Sequence, residues 1–266
     1  MGVLNLTPDS FSDGGQFFDS NRIDTSAVVD TAAKMVADGA DWLDLGGEST
    51  RPGATPVAEE EELNRVIPAL EALRARFDVP ISIDTSTAAV MSESIELGAT
   101  MINDVRALSR AGAIEAVARS NVCLCLMHMQ GDPESMQDRP NYENVVEQVR
   151  AFLSERLDAL TAAGISEQRV YLDPGFGFGK TLEHNLELLH GLNAIRELGR
   201  PILVGLSNKS MIGAMTDRDV DQRLPGTIAL NTLALTRGAS ILRVHNVAAA
   251  VDTIKIWNAY STTCVH

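Results

Sequence analysis

The sequence has 266 residues, of which 45% are apolar, and this length suits one large domain or two small ones. The formal net charge of −14 excludes a general nucleic-acid-binding protein, because such proteins present a basic face. An anionic ligand would therefore be held by a few placed cations or by a metal ion.

The cysteines and the apolar runs indicate the setting in which the protein works. Cys123, Cys125 and Cys264 lack the spacing of a metal site or a redox motif, which is typical of a reduced, cytoplasmic protein. The longest apolar runs are far shorter than a membrane span, and the first residues do not have the pattern of a signal peptide. We therefore expect neither a membrane nor a nucleic acid as a partner.

Eight short apolar runs predict eight β-strands, and a helical pattern follows each of them. The runs cover residues 2–5, 42–47, 81–85, 101–105, 122–129, 170–175, 202–207 and 241–246. The helical patterns cover residues 25–38, 58–76, 86–97, 111–120, 141–163, 182–198, 222–237 and 247–260. Eight strand–helix units in a chain of this length predict an α/β fold, a single (β/α)8 TIM barrel over residues 1–266. Long loops follow strands 1 and 2.

The carboxyl ends of all eight predicted strands carry polar residues. In a (β/α)8 barrel these ends form the mouth where active sites lie. A single polar residue there could simply cap the next helix, and Asp84 before "TSTAAV" has that alternative. Helix capping is a poor explanation for polar residues at eight strand ends at once. These residues are Asn5, Glu48–Arg51, Asp84, Asn103, His128, Asp173, Ser207 with Lys209, and Arg243 with His245.

The segment "DPGFGFGKT" (173–181) resembles a phosphate-binding loop but does not match that motif, because Pro174 occupies the position of its first glycine. We interpret its glycines as sites where the backbone approaches a ligand, with Phe176 and Phe178 as an apolar wall; a plain turn is the alternative. A buried Asp173 suits a ligand with adjacent N–H donors, such as a pterin. Lys209 would supply a complementary cation, or else be a solvated loop lysine.

Arg243 and His245 alternate with Val244, so both are expected on the same face of the last strand. We interpret them as an anion site, and the alternative is a buried pair satisfied by carboxylates. His128 is expected to be a packed histidine at a strand end rather than part of the site.

The motifs resemble those of the dihydropteroate synthase family. The matching segments, in the family's order and over nearly the whole chain, are "GVLNLTPDSFSDGG", "DLGGESTRPGA", "ISIDTS", "INDV", "LMHMQG", "DPGFGFGKT", "GLSNKSMIG" and "RVHN". The resemblance implies an enzyme that joins 6-hydroxymethyl-7,8-dihydropterin pyrophosphate to 4-aminobenzoate, releasing pyrophosphate. It also implies Mg²⁺ as cofactor and a homodimer.

The resemblance assigns a role to each matching residue. It implies that the pterin is held by Asp84, Asn103, Asp173 and Lys209. The aminobenzoate site would be shaped by Thr50, Arg51, Pro52, Phe178 and Ser210. Asn5 would ligate Mg²⁺ on the pyrophosphate, and Arg243 and His245 would bind its oxygens. The catalytic residues would be Asp9, Arg51, Asp84 and Lys209, with Asp9 brought over the pterin by the first loop.

Two positions depart from the family pattern, and two other functions remain open. Asn208 stands where the family has arginine, and Asn246 stands where it usually has aspartate. One alternative is the methyltetrahydrofolate-binding barrel of corrinoid methyltransferases, which has no need of "STRPGA" or of an Arg-x-His site. The other is a non-catalytic pterin-binding paralogue, which would tend to lose loop residues that are intact here.

Overall fold

The computed structural model describes residues 1–7, 17–19, 22–50 and 53–263. Eight parallel strands form its centre. They are β1 (Gly2–Asn5), β2 (Leu43–Gly46), β3 (Ile81–Asp84), β4 (Met101–Asp104), β5 (Cys123–Met127), β6 (Val170–Asp173), β7 (Leu203–Val204) and β8 (Ile241–Leu242). A two-residue antiparallel hairpin, Phe18–Asp19 with Arg22–Ile23, lies in the connection that follows β1.

The strands close into a ring, as predicted from their number. β1 to β6 pair in chain order as one parallel sheet, and β7 pairs with β8. Two parallel bridges join these sheets, one between Leu172 and Ile202 and the other between Gly2 and Val244. The backbone N–H of Val3 also donates to the carbonyl of Val244 at 3.1 Å. The (β/α)8 barrel is therefore complete.

Helices surround the ring. They are α1 (Thr25–Ala37), α2 (Glu59–Arg76), α3 (Ala88–Glu96), α4 (Ala113–Ala118), α5 (Val145–Ala162), α6 (Leu182–His190), α7 (Leu192–Arg196), α8 (Ser210–Thr216), α9 (Leu224–Thr236) and α10 (Val247–Thr263). The main core lies between helices and strands, and it takes every second strand residue, such as Leu43 and Leu45 on β2. The opposite strand faces enclose a smaller cluster of Met1, Met101, Cys125 and Leu203 in the lumen.

Three parts of the chain differ from the sequence expectation. Residues 182–198 form two helices, because the chain turns at Gly191 where it packs against α5; a Cβ there would lie 2.6 Å from Cγ2 of Val146. Residues 210–216 form a helix, α8, that was not predicted. β7 and β8 are shorter than the apolar runs that predicted them, so Arg243 and His245 follow β8 rather than lying within it.

Candidate active site

Polar side chains from neighbouring strands meet at the barrel mouth because the parallel register aligns them. Asn5 of β1 is level with Gly46 of β2, which is level with Asp84 of β3, and Asp84 is level with Asn103 of β4. Asp173 ends β6 opposite Met127 of β5. The structure thus places the predicted residues Asn5, Asp84, Asn103 and Asp173 at the same ends of their strands.

Arg243 lies between two carboxylates. Its Nε donates to Oδ2 of Asp44 at 2.6 Å, and one terminal nitrogen donates to Oδ2 of Asp84 at 2.8 Å. Burial alone would lower the pKa of Arg243, but the two carboxylates outweigh that effect and raise it. Burial raises the pKa of Asp84, while Arg243 opposes the rise.

These contacts decide two alternatives left open by the sequence. Asp84 does not cap the next helix, because the N-cap residue of α3 is Thr87. Arg243 is satisfied by carboxylates, which is the alternative that the sequence also allowed for it. His245 instead contacts Ser207, with its Nδ1 3.0 Å from the hydroxyl oxygen. A role for either residue on pyrophosphate stays a prediction.

Asp173 and Asn103 present buried polar atoms to the mouth. The Asp173 carboxylate accepts a 2.7 Å hydrogen bond from the backbone N–H of Gly175. Burial raises the pKa of Asp173 to about 6, against the opposing effects of that N–H and of the cations Lys209, Arg243 and Lys180. The side-chain oxygen of Asn103 is buried and accepts no hydrogen bond within the described part of the chain. Both groups can therefore serve a polar ligand.

The glycine-rich loop, residues 174–181, connects β6 to α6 and folds against the protein itself. Gly175 has a φ of +70°, and a Cβ there would lie 1.8 Å from the carbonyl oxygen of His128. Gly179 has a φ of +62°, and a Cβ there would lie 2.4 Å from the carbonyl oxygen of Gln130. At these two glycines the close approach predicted for a ligand is an approach to the chain's own backbone.

The two phenylalanines of this loop have different environments. Phe176 is buried in the main core, so its predicted place in a ligand wall is wrong. Phe178 is half-buried, and Nζ of Lys209 lies 4.3 Å from the centroid of its ring. That contact is a cation–π interaction, which keeps the Lys209 ammonium beside the loop. Ser210 is exposed at the first position of α8.

Lys180 and His128 form a buried pair beneath the loop. Nζ of Lys180 lies 3.0 Å from Nδ1 of His128. Burial lowers the pKa of His128 to about 3 and that of Lys180 to about 7. The ring of His128 also packs edge-on against Phe152, at 5.0 Å between centroids. His128 is thus a packed strand-end histidine, as predicted.

The second loop is anchored at its base. Glu48 accepts from Arg106 at 3.1 Å, and that guanidinium also donates to Ser86. Thr50 is half-buried beyond this anchor. Asp9, Arg51 and Pro52, which the sequence assigned to the site, lie outside the described residues.

Asp44 and Lys180 were missed by the sequence analysis. The signal for Asp44 is an acid between Leu43 and Leu45 on a strand that is buried on both faces. Successive side chains of a strand point to opposite faces, so the two leucines point toward the helices and Asp44 points into the barrel lumen. The signal for Lys180 is weaker, because a lysine in a glycine-rich loop is normally solvated.

Residues 1–7, 17–19, 22–50 and 53–263 contain neither a cluster of metal-binding side chains nor a helix that could cross a membrane. Within them, His, Cys, Asp and Glu side chains form no group of three or more that could hold a metal ion. None of the helices in these ranges has both the length and the apolar character needed to cross a membrane.

Comparison with known proteins assigns the family. The model of the pterin binding enzyme family matches residues 1–245. The dihydropteroate synthase of Haemophilus influenzae is 50% identical over 97% of this chain and 92% of its own. The crystal structure of Yersinia pestis dihydropteroate synthase with a sulfonamide drug complex superposes with a TM-score of 0.94, at 45% identity, covering 98% of this chain and 93% of that chain. Burkholderia cenocepacia dihydropteroate synthase complexed with 7,8-dihydropteroate gives a TM-score of 0.86 at 45% identity, covering 99% and 91%. The chain therefore belongs to the pterin-binding enzyme family, and within it to the dihydropteroate synthases.

Proposed function

We propose that this protein condenses 6-hydroxymethyl-7,8-dihydropterin pyrophosphate with 4-aminobenzoate to give 7,8-dihydropteroate and pyrophosphate. The observation that carries the proposal is the set of polar groups at one barrel mouth, Asn5, Asp84, Asn103 and Asp173, in a chain so similar to known dihydropteroate synthases. The same likeness over nearly the full chain favours this function over a methyltetrahydrofolate-binding barrel or a non-catalytic paralogue.

In this proposal the pterin lies at the mouth between β3, β4 and β6. An ionised Asp173 accepts two parallel hydrogen bonds from the ring N–H and the exocyclic amino group, as a carboxylate does from arginine. The buried amide of Asn103 and the carboxylate of Asp84 bind further along the ring edge. Lys209, held beside Phe178 at 4.3 Å, donates to the ring carbonyl and nitrogen.

The pyrophosphate group needs more positive charge than the described residues provide near β1 and β8. Arg243 is shared between Asp44 and Asp84, so this trio carries a net negative charge when both carboxylates are ionised. Mg²⁺ typically takes one or two protein oxygens and completes its coordination with substrate phosphates and water. Asn5 has an amide oxygen at the end of β1, and in this proposal it would hold a magnesium ion that arrives with the substrate.

The ion would neutralise charge on the departing pyrophosphate. His245, beside Ser207, and Arg243 would bind the pyrophosphate oxygens. In the reaction the bond between the pterin methylene carbon and the pyrophosphate oxygen breaks, and the amine nitrogen of 4-aminobenzoate bonds to that carbon and loses a proton. The carboxylates of Asp84 and, from the first loop, Asp9 favour the positive charge that develops on the pterin. The aromatic amine is neutral at pH 7, so no strong general base is required.

The second substrate would bind beside Phe178. Thr50 and Ser210 complete the pocket on either side, together with Arg51 and Pro52 from the second loop. This assignment places the aminobenzoate between two barrel loops and keeps water from the reactive methylene, which water could otherwise attack.

We also propose a cytoplasmic homodimer that uses α9 and α10. These helices pack against each other, and they expose large apolar side chains: Ile228, Leu233, Ile256 and Tyr260. Contiguous exposed apolar surface commonly marks an interface. Light scattering should report a dimer for the native chain and a monomer for Ile256→Glu with Leu233→Glu. The control, Leu186→Glu on α6, should remain dimeric.

The decisive assay supplies the pterin pyrophosphate, 4-aminobenzoate and Mg²⁺ and measures dihydropteroate. We expect product, loss of turnover when a chelator removes Mg²⁺, and inhibition by a sulfonamide that competes with 4-aminobenzoate. Binding of a bare pterin analogue should survive the chelator, because only the pyrophosphate involves the ion. A folded protein that forms no product under these conditions would overturn the proposed activity.

A further inference from the structure

The Lys180 ammonium is enclosed by the glycine-rich loop. Lys180 is 3% exposed, and its Nζ donates to the carbonyl oxygens of Gly175 at 2.9 Å and Phe178 at 3.1 Å. The third neighbour is Nδ1 of His128 at 3.0 Å. An ammonium has three protons and no acceptor, so these three contacts satisfy it and leave the proton of His128 on Nε2.

The two carbonyls that bind this ammonium belong to residues on opposite sides of the proposed site. The N–H of Gly175 holds the carboxylate of Asp173 at 2.7 Å, on the pterin side. The ring of Phe178 lies beside Lys209, and in the proposed function it borders the aminobenzoate. One cation therefore ties together the backbone of both halves of the pocket.

Two further contacts of the loop are made by neutral groups. Asn185 accepts from the N–H of Gly177 at 2.7 Å, and the hydroxyl of Tyr142 donates to the carbonyl of Gly179 at 2.9 Å. A buried cation is costly to desolvate. A loop that only needed to fold could use a neutral donor at Lys180 too, so a lysine at this position calls for a functional explanation.

We propose that Lys180 is a positioning residue, whose ammonium fixes the Phe178 ring relative to the Asp173 carboxylate and so shapes the aminobenzoate pocket. The inference rests on the proposed function for the identity of the substrate. It does not place Lys180 in contact with either substrate.

The test compares Lys180→Met, which keeps the length of the side chain and removes its donors, with Leu70→Ala. Leu70 is buried on α2 away from the loop, so its variant controls for loss of stability. In Lys180→Met the amide hydrogens of residues 175–180 should exchange about tenfold faster or more, and Leu70→Ala should leave them unchanged. At pH 6, where the Lys180 side chain with its pKa of about 7 is mostly protonated, the KM for 4-aminobenzoate should rise about tenfold, while affinity for a pterin analogue stays within about threefold.

A double-mutant cycle tests whether Lys180 acts through Phe178. Once Phe178→Leu has removed the ring, Lys180→Met should change the KM by less than about twofold, because the two effects are not additive. If Lys180→Met folds poorly, His128→Phe serves as the second variant. It keeps the packing on Phe152 but removes the ring nitrogen beside Lys180, so it should give the same changes in exchange and KM on a smaller scale.

The outcomes separate this inference from the proposed activity. Unchanged exchange in the loop overturns the positioning role, whatever the turnover. Faster exchange with additive effects on KM overturns the route through Phe178. A native protein without synthase activity overturns the proposed function, and the exchange comparison still decides whether Lys180 fixes the loop.

Discussion

Replacing Asp173 with asparagine is expected to stabilise the ligand-free protein while it weakens pterin binding. Asp173 is 5% exposed, and burial raises the pKa of its carboxyl to about 6 from a reference value of 3.8. The folded state therefore disfavours the ionised form. With about 1.4 kcal/mol for each pKa unit, ionisation costs about 3 kcal/mol of stability well above pH 6. Asparagine keeps an oxygen for the N–H of Gly175 and removes the charge.

The pH dependence follows from the direction of the shift. The folded-state pKa of Asp173 lies above the unfolded value, so the stability cost of ionising the buried carboxyl is present in full well above pH 6. It is relieved as the pH falls through about 6 toward 3.8, where both states become protonated. The stability advantage of Asp173→Asn should thus be greatest at pH 8 and about half as large at pH 5.

Thermal and urea unfolding at the two pH values provide the assay. For a chain of this size the melting temperature should rise by roughly 4 to 10 °C at pH 8. Calorimetry with a pterin analogue should show a loss of about 2–4 kcal/mol in binding, because the amide leaves a ligand donor unpaired.

Asp104→Asn is the matched control. Burial also raises the pKa of Asp104, but its two oxygens accept from Ser86 and from the N–H groups of Arg106 and Leu108. An amide cannot replace both oxygens, so this variant should lose about 1–3 kcal/mol of stability. If Asp173→Asn were instead less stable than the native protein at pH 8, the reasoning from desolvation would be refuted.

Three further predictions concern the rest of the site. Arg243→Met should lower the free energy of unfolding in urea by about 3–5 kcal/mol, because it leaves Asp44 and Asp84 without their cation. Adding Asp44→Asn should restore part of that stability, and equal stability of the single and the double variant would contradict this reasoning. Lys209→Ala should weaken binding of a pterin analogue by about 2–4 kcal/mol in calorimetry, and native-like affinity would show that the pterin binds elsewhere. Asp9→Ala, predicted from the sequence alone, should keep that affinity and lower turnover about tenfold or more; unimpaired turnover would rule out its role.

The strands and the polar mouth could be predicted because both follow from local chemistry. Apolar runs of four to eight residues mark buried parallel strands, and the residue at which such a run becomes polar marks the mouth. In the structure two of these residues, Asp84 and Asn103, are paired in register at the mouth. Helix α8 was not predicted, because its sequence "SMIGAMT" is short and contains a glycine.

The contacts within the site could not be predicted, because they join residues that are distant in sequence. Asp44 and Arg243 are 199 residues apart, and only closure of the ring brings them together. The role of Phe176 depended on which way the backbone turns at Gly175, whose φ of +70° aims the ring into the core.

Asn208 also adopts a positive φ, of +56°, which asparagine tolerates better than most residues. Its backbone carbonyl accepts a hydrogen bond from Arg223.

The carboxylates at the mouth are better suited to a transition state than to the ligand-free protein. Burial raises the pKa of both Asp84 and Asp173, so the folded protein holds negative charge that it solvates poorly. In the proposed reaction a neutral pterin that loses pyrophosphate becomes a cation, and it would do so beside these groups. Fixed carboxylates that faced the ring in this way would stabilise that charge without reorganising, which is how preorganised electrostatic catalysis works. The instability predicted for ionised Asp173 and the rate of the proposed reaction thus have the same physical origin.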